Sequence, residues 1–181
     1  MINFDQNRKI SCFYILGIFL ILHLITPKLL CENFKRALPG RTFSFPQDHF
    51  SHPEFKTEWW YYSGHLQSQT PDKKSYGYQL TFFRTALRGE TKNQKSKWSI
   101  QNLYFAHLGL TDESKKKFEY REKISRGSLG EAGASIYKKD GNPFQVWIEN
   151  WSMEGKGASF QNHLLRTGDK DFGIEFLLTT E

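Results

Sequence analysis

The chain is poor in cysteine: 181 residues hold only Cys12 and Cys31. Residues 32 to 181 therefore have neither a disulfide framework nor a thiol nucleophile, and a domain there must be held by its core alone. Ser63 in YYSGH and Ser128 in RGSLG lack the glycine two positions upstream that a G-x-S-x-G nucleophile elbow requires. Neither a G-x-x-x-x-G-K-[ST] loop nor a dinucleotide fingerprint occurs, so no nucleotide cofactor is expected. His49, His52, Glu58 and His65 offer metal donors but match no established spacing, and no metal site is expected.

Long apolar runs are confined to the start of the chain. Arg8 and Lys9 precede an apolar stretch from Ile10 to Thr26, and Pro27 stops a helix there. Residues 1–31 read as a signal peptide or membrane anchor, which predicts export to the periplasm, envelope or medium. Cys31, in KLLCEN, sits where a leader is cut and offers a sulfur for lipidation, although Leu30 is bulky for such a site. Membrane association through residues 10–26 is the corresponding expectation.

The formal charge is +6, and residues 1–31 contribute +2 of it, with three cations against Asp5. Much of the excess lies in lysine clusters at 92–97, 115–117 and 138–139, between apolar segments where loop tips belong. Solvated hairpin tips explain these clusters. A basic aromatic barrel that stacks single-stranded nucleic acid conflicts with export, so no nucleic-acid partner is expected.

Aromatics are abundant, with sixteen Phe, eight Tyr and five Trp. From residue 41 onward, β-like segments alternate with Gly, Pro, Asp and Asn turns. Candidate strands cover 41–45, 55–67, 75–87, 98–111, 116–125, 132–138, 143–153, 158–165 and 171–179. KDGN, with Asp140 and Gly141, predicts a type I′ hairpin. The result is an all-β, antiparallel, up-and-down domain over residues 41–181. The long strands are apolar on both faces, which predicts a barrel interior on one side and a further layer outside. DFGIEFLLTTE keeps strand character to Glu181, which reads as a truncated chain or one half of a larger protein.

The most crowded stretch is FPQDHFSHPEFKTEWWYYSGHL, residues 45 to 66. Side chains alternate along a strand, so Trp59 and Trp60 face opposite sides. Together with GYQLTFFRTAL (77–87), NLYFAHLGLTD (102–112), ISRGSLGEAGA (124–134) and VWIENW (146–151), this stretch resembles the lipocalin-like family that includes AttH-type proteins and carotenoid 1,2-hydratases. The resemblance implies a lipocalin-like (calycin) barrel, the first of two β-barrel halves, and cofactor-free handling of an isoprenoid or lipid-like molecule. VWIENW departs from the family pattern, because an acidic residue is usual where Asn150 stands.

Hydrating an alkene needs a proton donor, a cation-stabilising wall and a base beside water. Glu58, Asp48 and His49 are the candidate acid and base groups. Trp59, Trp60, Tyr62, Tyr78, Phe82, Arg84, Tyr104, His107 and Trp147 are the candidate ligand-lining residues. Structural roles compete with each: strand aromatics pack cores, Asp48 braces a turn, and Glu58 pairs with Arg84 or Arg126. The expected activity is binding of a hydrophobic molecule, with a hydratase or hydrolase and a non-catalytic carrier as the two alternatives.

Overall fold

The structure is a computed structural model that describes residues 34–87, 96, 98–156 and 160–179. The expected leader, both cysteines and the last two residues lie outside the described residues.

Nine strands form two antiparallel meanders. The first holds β1 (Thr57–Gln67), β2 (Ser75–Ala86), β3 (Asn102–Asp112) and β4 (Lys117–Ser125) in that order. The second holds β5 (Ala132–Ala134), β6 (Gln145–Ile148), β7 (Trp151–Lys156), β8 (Asn162–Gly168) and β9 (Gly173–Thr179). Every pairing joins strands that are consecutive in sequence, so the expected all-β, up-and-down antiparallel class is what the chain adopts.

The barrel itself is not closed. Among the described residues no ladder joins the two sheets, which share a core instead. Between them the chain turns through residues 126–131, where Gly127, Leu129 and Gly130 all sit at positive φ. At Gly127 a Cβ would lie 3.0 Å from the Ala132 carbonyl oxygen and 3.1 Å from the Tyr104 ring, so glycine is required by both backbone angle and space. That turn lifts the chain out of the β4 ladder and starts a second sheet.

Leu80, Phe82, Ala106 and Leu108 from the first sheet meet Val146, Ile148, Trp151, Met153 and Leu165 from the second, all fully buried. Each large side chain among them contributes about 1.5–3 kcal/mol of transfer free energy. The space between the sheets is therefore filled, not hollow.

Three expectations about strands need correction. Residues 41–45 form no strand, because their polar groups serve a turn: the Asp48 carboxylate takes the Ser44 N–H and the Arg41 guanidinium. Residues 143–153 are two strands, not one, separated by Glu149 and Asn150, with Glu149 at φ 53°. The KDGN turn exists, but of its residues only Gly141 has positive φ, so it is not type I′. Its Gly141 N–H donates to the Lys138 carbonyl at 3.1 Å. Asn142 ties the same loop together by accepting the Lys138 N–H and donating to the Ile136 carbonyl, which ends β5 early.

Candidate functional site

The site is built where the chain enters β1. A short 3-10 turn, Gln47–His49, carries Asp48, whose carboxylate accepts the Ser44 N–H and the Arg41 guanidinium while its own N–H donates back to the Ser44 carbonyl at 2.9 Å. His52 follows one turn later, with Nε2 3.2 Å from Asp48 and Nδ1 3.1 Å from Glu58. Glu58 also accepts the Ser51 hydroxyl at 2.8 Å, the His52 N–H at 2.6 Å and Arg84 Nε at 2.9 Å. Arg84 stands directly opposite Glu58 in the β1–β2 register.

Arg84 is 3% exposed, and its remaining N–H groups donate to Asn102 Oδ1 at 3.0 Å and to the His52 and Phe55 carbonyls at 3.3 and 2.6 Å. A buried guanidinium is tolerated only with this degree of pairing. The result is a continuous chain of contacts, Arg41 to Asp48 to His52 to Glu58 to Arg84, that pins the segment before β1 to the first sheet. Of the two partners expected for Glu58, Arg84 is the one that meets it.

Burial pushes the Asp48 carboxyl upward, but the Ser44 N–H and the Arg41 guanidinium outweigh it and hold its pKa below the ordinary carboxylate range. Asp48 is thus ionised at neutral pH. Among the described residues, no group of three or more His, Cys, Asp and Glu side chains is placed to hold a metal ion.

Above this polar floor lies an open groove of about 670 Å³. Leu38, Phe43, Phe55, Trp59 and Trp60 supply apolar walls, and Arg36 and Arg41 stand among them. Leu38 and Phe43 are 73% and 68% exposed, an unusual placement for such side chains. The groove volume falls within the range of about 300–1,000 Å³ typical of small-molecule sites.

His49 does not join Asp48 and Glu58. Its ring lies between Phe45, Phe144, Phe160 and His163, at centroid distances of 4.6, 5.9, 6.3 and 5.5 Å. His163, from β8, is buried, and its Nδ1 shares a hydrogen bond of 2.5 Å with the Tyr62 hydroxyl across the two sheets. Burial lowers the pKa of both histidines, and the neighbouring His163 lowers that of His49 further. The Tyr62 phenol is raised, first by burial and then by Tyr78. These groups are neutral near pH 7 and form an uncharged polar link between the sheets.

The remaining candidates divide among several surfaces. Phe82 and Tyr104 are core side chains, and Trp60, Tyr62 and Tyr78 pack against that core. Tyr78 leans on Gly64, where a Cβ would lie 3.2 Å from its ring. His107 is not in the interior: it lies on the outer face of the first sheet between Phe83 and Tyr120, at 5.5 and 6.0 Å. Trp147 lies on the second sheet over Gly133, with its indole N–H donating to the Gly130 carbonyl at 2.9 Å. The expected single aromatic wall is therefore several separate groups, and only Trp59 and Trp60 of those nine candidates line the groove.

Asn150 has a local reason to be an amide. Its Nδ2 donates to the Gly168 carbonyl at 2.7 Å while its Oδ1 accepts Lys123 Nζ at 2.7 Å. A carboxylate could meet only the second of these.

A two-sheet antiparallel domain with a buried ionic floor beneath a peripheral apolar groove is a lipocalin-like β protein. The chain belongs to the AttH-like family, whose model matches residues 36–181. Among solved structures it is similar to a protein from Nitrosomonas europaea designated a candidate AttH, at 32% identity and a TM-score of 0.62, over 82% of this chain and 41% of that one. The chain thus spans about two fifths of the length of that relative. No curated protein matches it.

Proposed function

We propose that this chain is an exported lipophile-binding protein, and that the groove bounded by Leu38, Phe43, Phe55, Trp59 and Trp60 holds an isoprenoid or lipid-like molecule. The observation that carries this reading is the groove itself: about 670 Å³, walled by exposed apolar side chains and open to solvent. The apolar stretch from Ile10 to Thr26 supports export.

Binding is favoured over catalysis by the state of the carboxyls. Protonating an alkene requires a carboxylic acid that is neutral at working pH. Asp48 is held ionised by Arg41 and Ser44, and the Glu58 oxygens are occupied by Ser51, His52 and Arg84. Asp48 therefore has no proton to deliver and the Glu58 oxygens are engaged within the protein, which supports reading the groove as a receptor.

Titration of the purified protein with geranylgeraniol and with palmitate, followed by tryptophan fluorescence, tests this. Saturable binding weakened about tenfold by Trp59→Ala is expected. No saturable binding of either probe, or binding unaffected by Trp59→Ala, would overturn the groove assignment. Incorporation of label from isotopic water into an acyclic isoprenoid would overturn the carrier reading in favour of a hydratase.

A further inference from the structure

The backbone before β1 sends two neighbouring cations in opposite directions. Lys35 forms an isolated parallel bridge with Phe55, and its N–H donates to the Glu54 carbonyl at 2.8 Å. In extended chain, successive side chains leave on opposite sides. Lys35 Nζ accordingly turns to the Glu54 carboxylate at 3.4 Å, whereas Arg36 lines the groove, which Lys35 does not.

Besides His52, the ionisable side chains that line the groove are Arg36, Arg41, Asp48 and Glu58. All but the first are committed within the protein. Arg41 pairs with Asp48, and Glu58 is held by Arg84 Nε at 2.9 Å together with the Ser51 hydroxyl and the His52 N–H. Arg36 has no ion pair or hydrogen bond among the described residues. One guanidinium in the groove is therefore uncompensated.

An apolar wall beside such a cation fits an amphiphile better than a neutral hydrocarbon. Leu38, Phe43, Phe55, Trp59 and Trp60 take the tail by removing apolar surface from water. The planar fork of Arg36 takes both oxygens of one carboxylate, a pairing that an alcohol cannot reproduce. One uncompensated cation balances one negative charge, which favours a carboxylate over a phosphate monoester of nearly two. Asp48 and Glu58 repel such a head little, because Arg41 and Arg84 offset them.

We propose that the groove selects lipophiles that end in a carboxylate, and that Arg36 sets this preference. The preference rests on the groove being the lipophile site. Titration of the full chain with palmitate and with hexadecanol, at about pH 8 and low salt and followed by tryptophan fluorescence, separates the two claims. Palmitate should bind at least threefold more tightly than the alcohol of equal chain length. Arg36→Gln should at least halve that ratio, and because Arg36 is exposed the substitution leaves the fold in place. Lys170→Gln removes an exposed cation outside the groove and should not halve it, which separates a local pairing from the general positive charge of the chain. A wild-type ratio below threefold, a ratio that survives Arg36→Gln, or one halved by Lys170→Gln overturns the role of Arg36 and leaves the groove standing. No saturable binding of either probe overturns the groove and the preference together.

Discussion

Replacing Glu58 with glutamine removes one charge and almost no volume, which isolates the electrostatic part of the network beneath the groove. Arg84 then keeps its Asn102, His52 and Phe55 acceptors but loses its counter-ion at 3% exposure. Breaking a buried pair by neutralising one partner costs about 3–5 kcal/mol. The three surviving acceptors bring the expected value to the lower end, and the new amide group adds to it by turning a donor toward the Ser51 hydroxyl or the His52 N–H, which Glu58 now accepts. A loss of about 3 kcal/mol follows, which for a domain of this size lowers Tm by roughly 6–12 °C. Thermal unfolding of Glu58→Gln, Arg84→Met and the double variant, treated as a cycle, gives the coupling directly. The double variant should be less destabilised than the two singles added together, by at least about 2 kcal/mol. A Glu58→Gln shift below about 2 °C, or additive singles, would refute the view that this pair is a buried strut.

Acidification should destabilise the fold. His49 and His163 have folded pKa values below the histidine reference, so the unfolded chain binds protons first as pH falls below about 6.5. Their stabilisation is complete above that pH and is lost as pH falls toward the folded values, by at most about 1.4 kcal/mol per pH unit for each group. Asp48 has the same sign nearer pH 4, being lowered from 3.8. Melts between pH 7.5 and 5 should show the decline, and His163→Phe should flatten it; an unchanged slope would remove His163 from the account. On the second sheet, Gly133→Val should cost about 1–3 kcal/mol, because a Cβ there lies 2.5 Å from the Trp147 ring and must displace it from the Gly130 carbonyl. Chemical denaturation of this variant checks that value, and wild-type stability would show that the ring moves freely.

The alternation of β1 was legible because a strand has a period of two and the stretch from Glu58 to Leu66 has no bulge. Glu58, Trp60, Tyr62, Gly64 and Leu66 turn inward, and Trp59, Tyr61, Ser63 and His65 outward. The Glu58–Arg84 pairing was legible from the need of each buried charge for a partner. The split of residues 143–153 was hidden because its turn is only the two residues Glu149–Asn150, without Gly or Pro, inside an otherwise continuous apolar run. His163 was hidden for another reason: its partner Tyr62 lies 101 residues earlier, and no local signal marks a contact between sheets. The sequence offers His52 only as one of several metal donors, not as the bridge between Asp48 and Glu58. The turn at Pro53 and Glu54, which carries His52 back to Glu58, was the available clue.

The location of the groove follows from how the two sheets are filled. A receptor barrel keeps its interior open, whereas here Leu80, Phe82, Ile148, Trp151, Met153 and Leu165 close it with no exposure at all. Opening that core for a ligand would cost several large side chains their burial, at about 1.5–3 kcal/mol each. A ligand therefore gains most where apolar surface is already in water, along Leu38, Phe43 and Trp59. The ionic chain beneath makes that gain available, because it fixes the coil before β1 to the sheet and so holds the groove wall in place without a ligand. Trp59 belongs both to this wall and to the outer face of the first sheet.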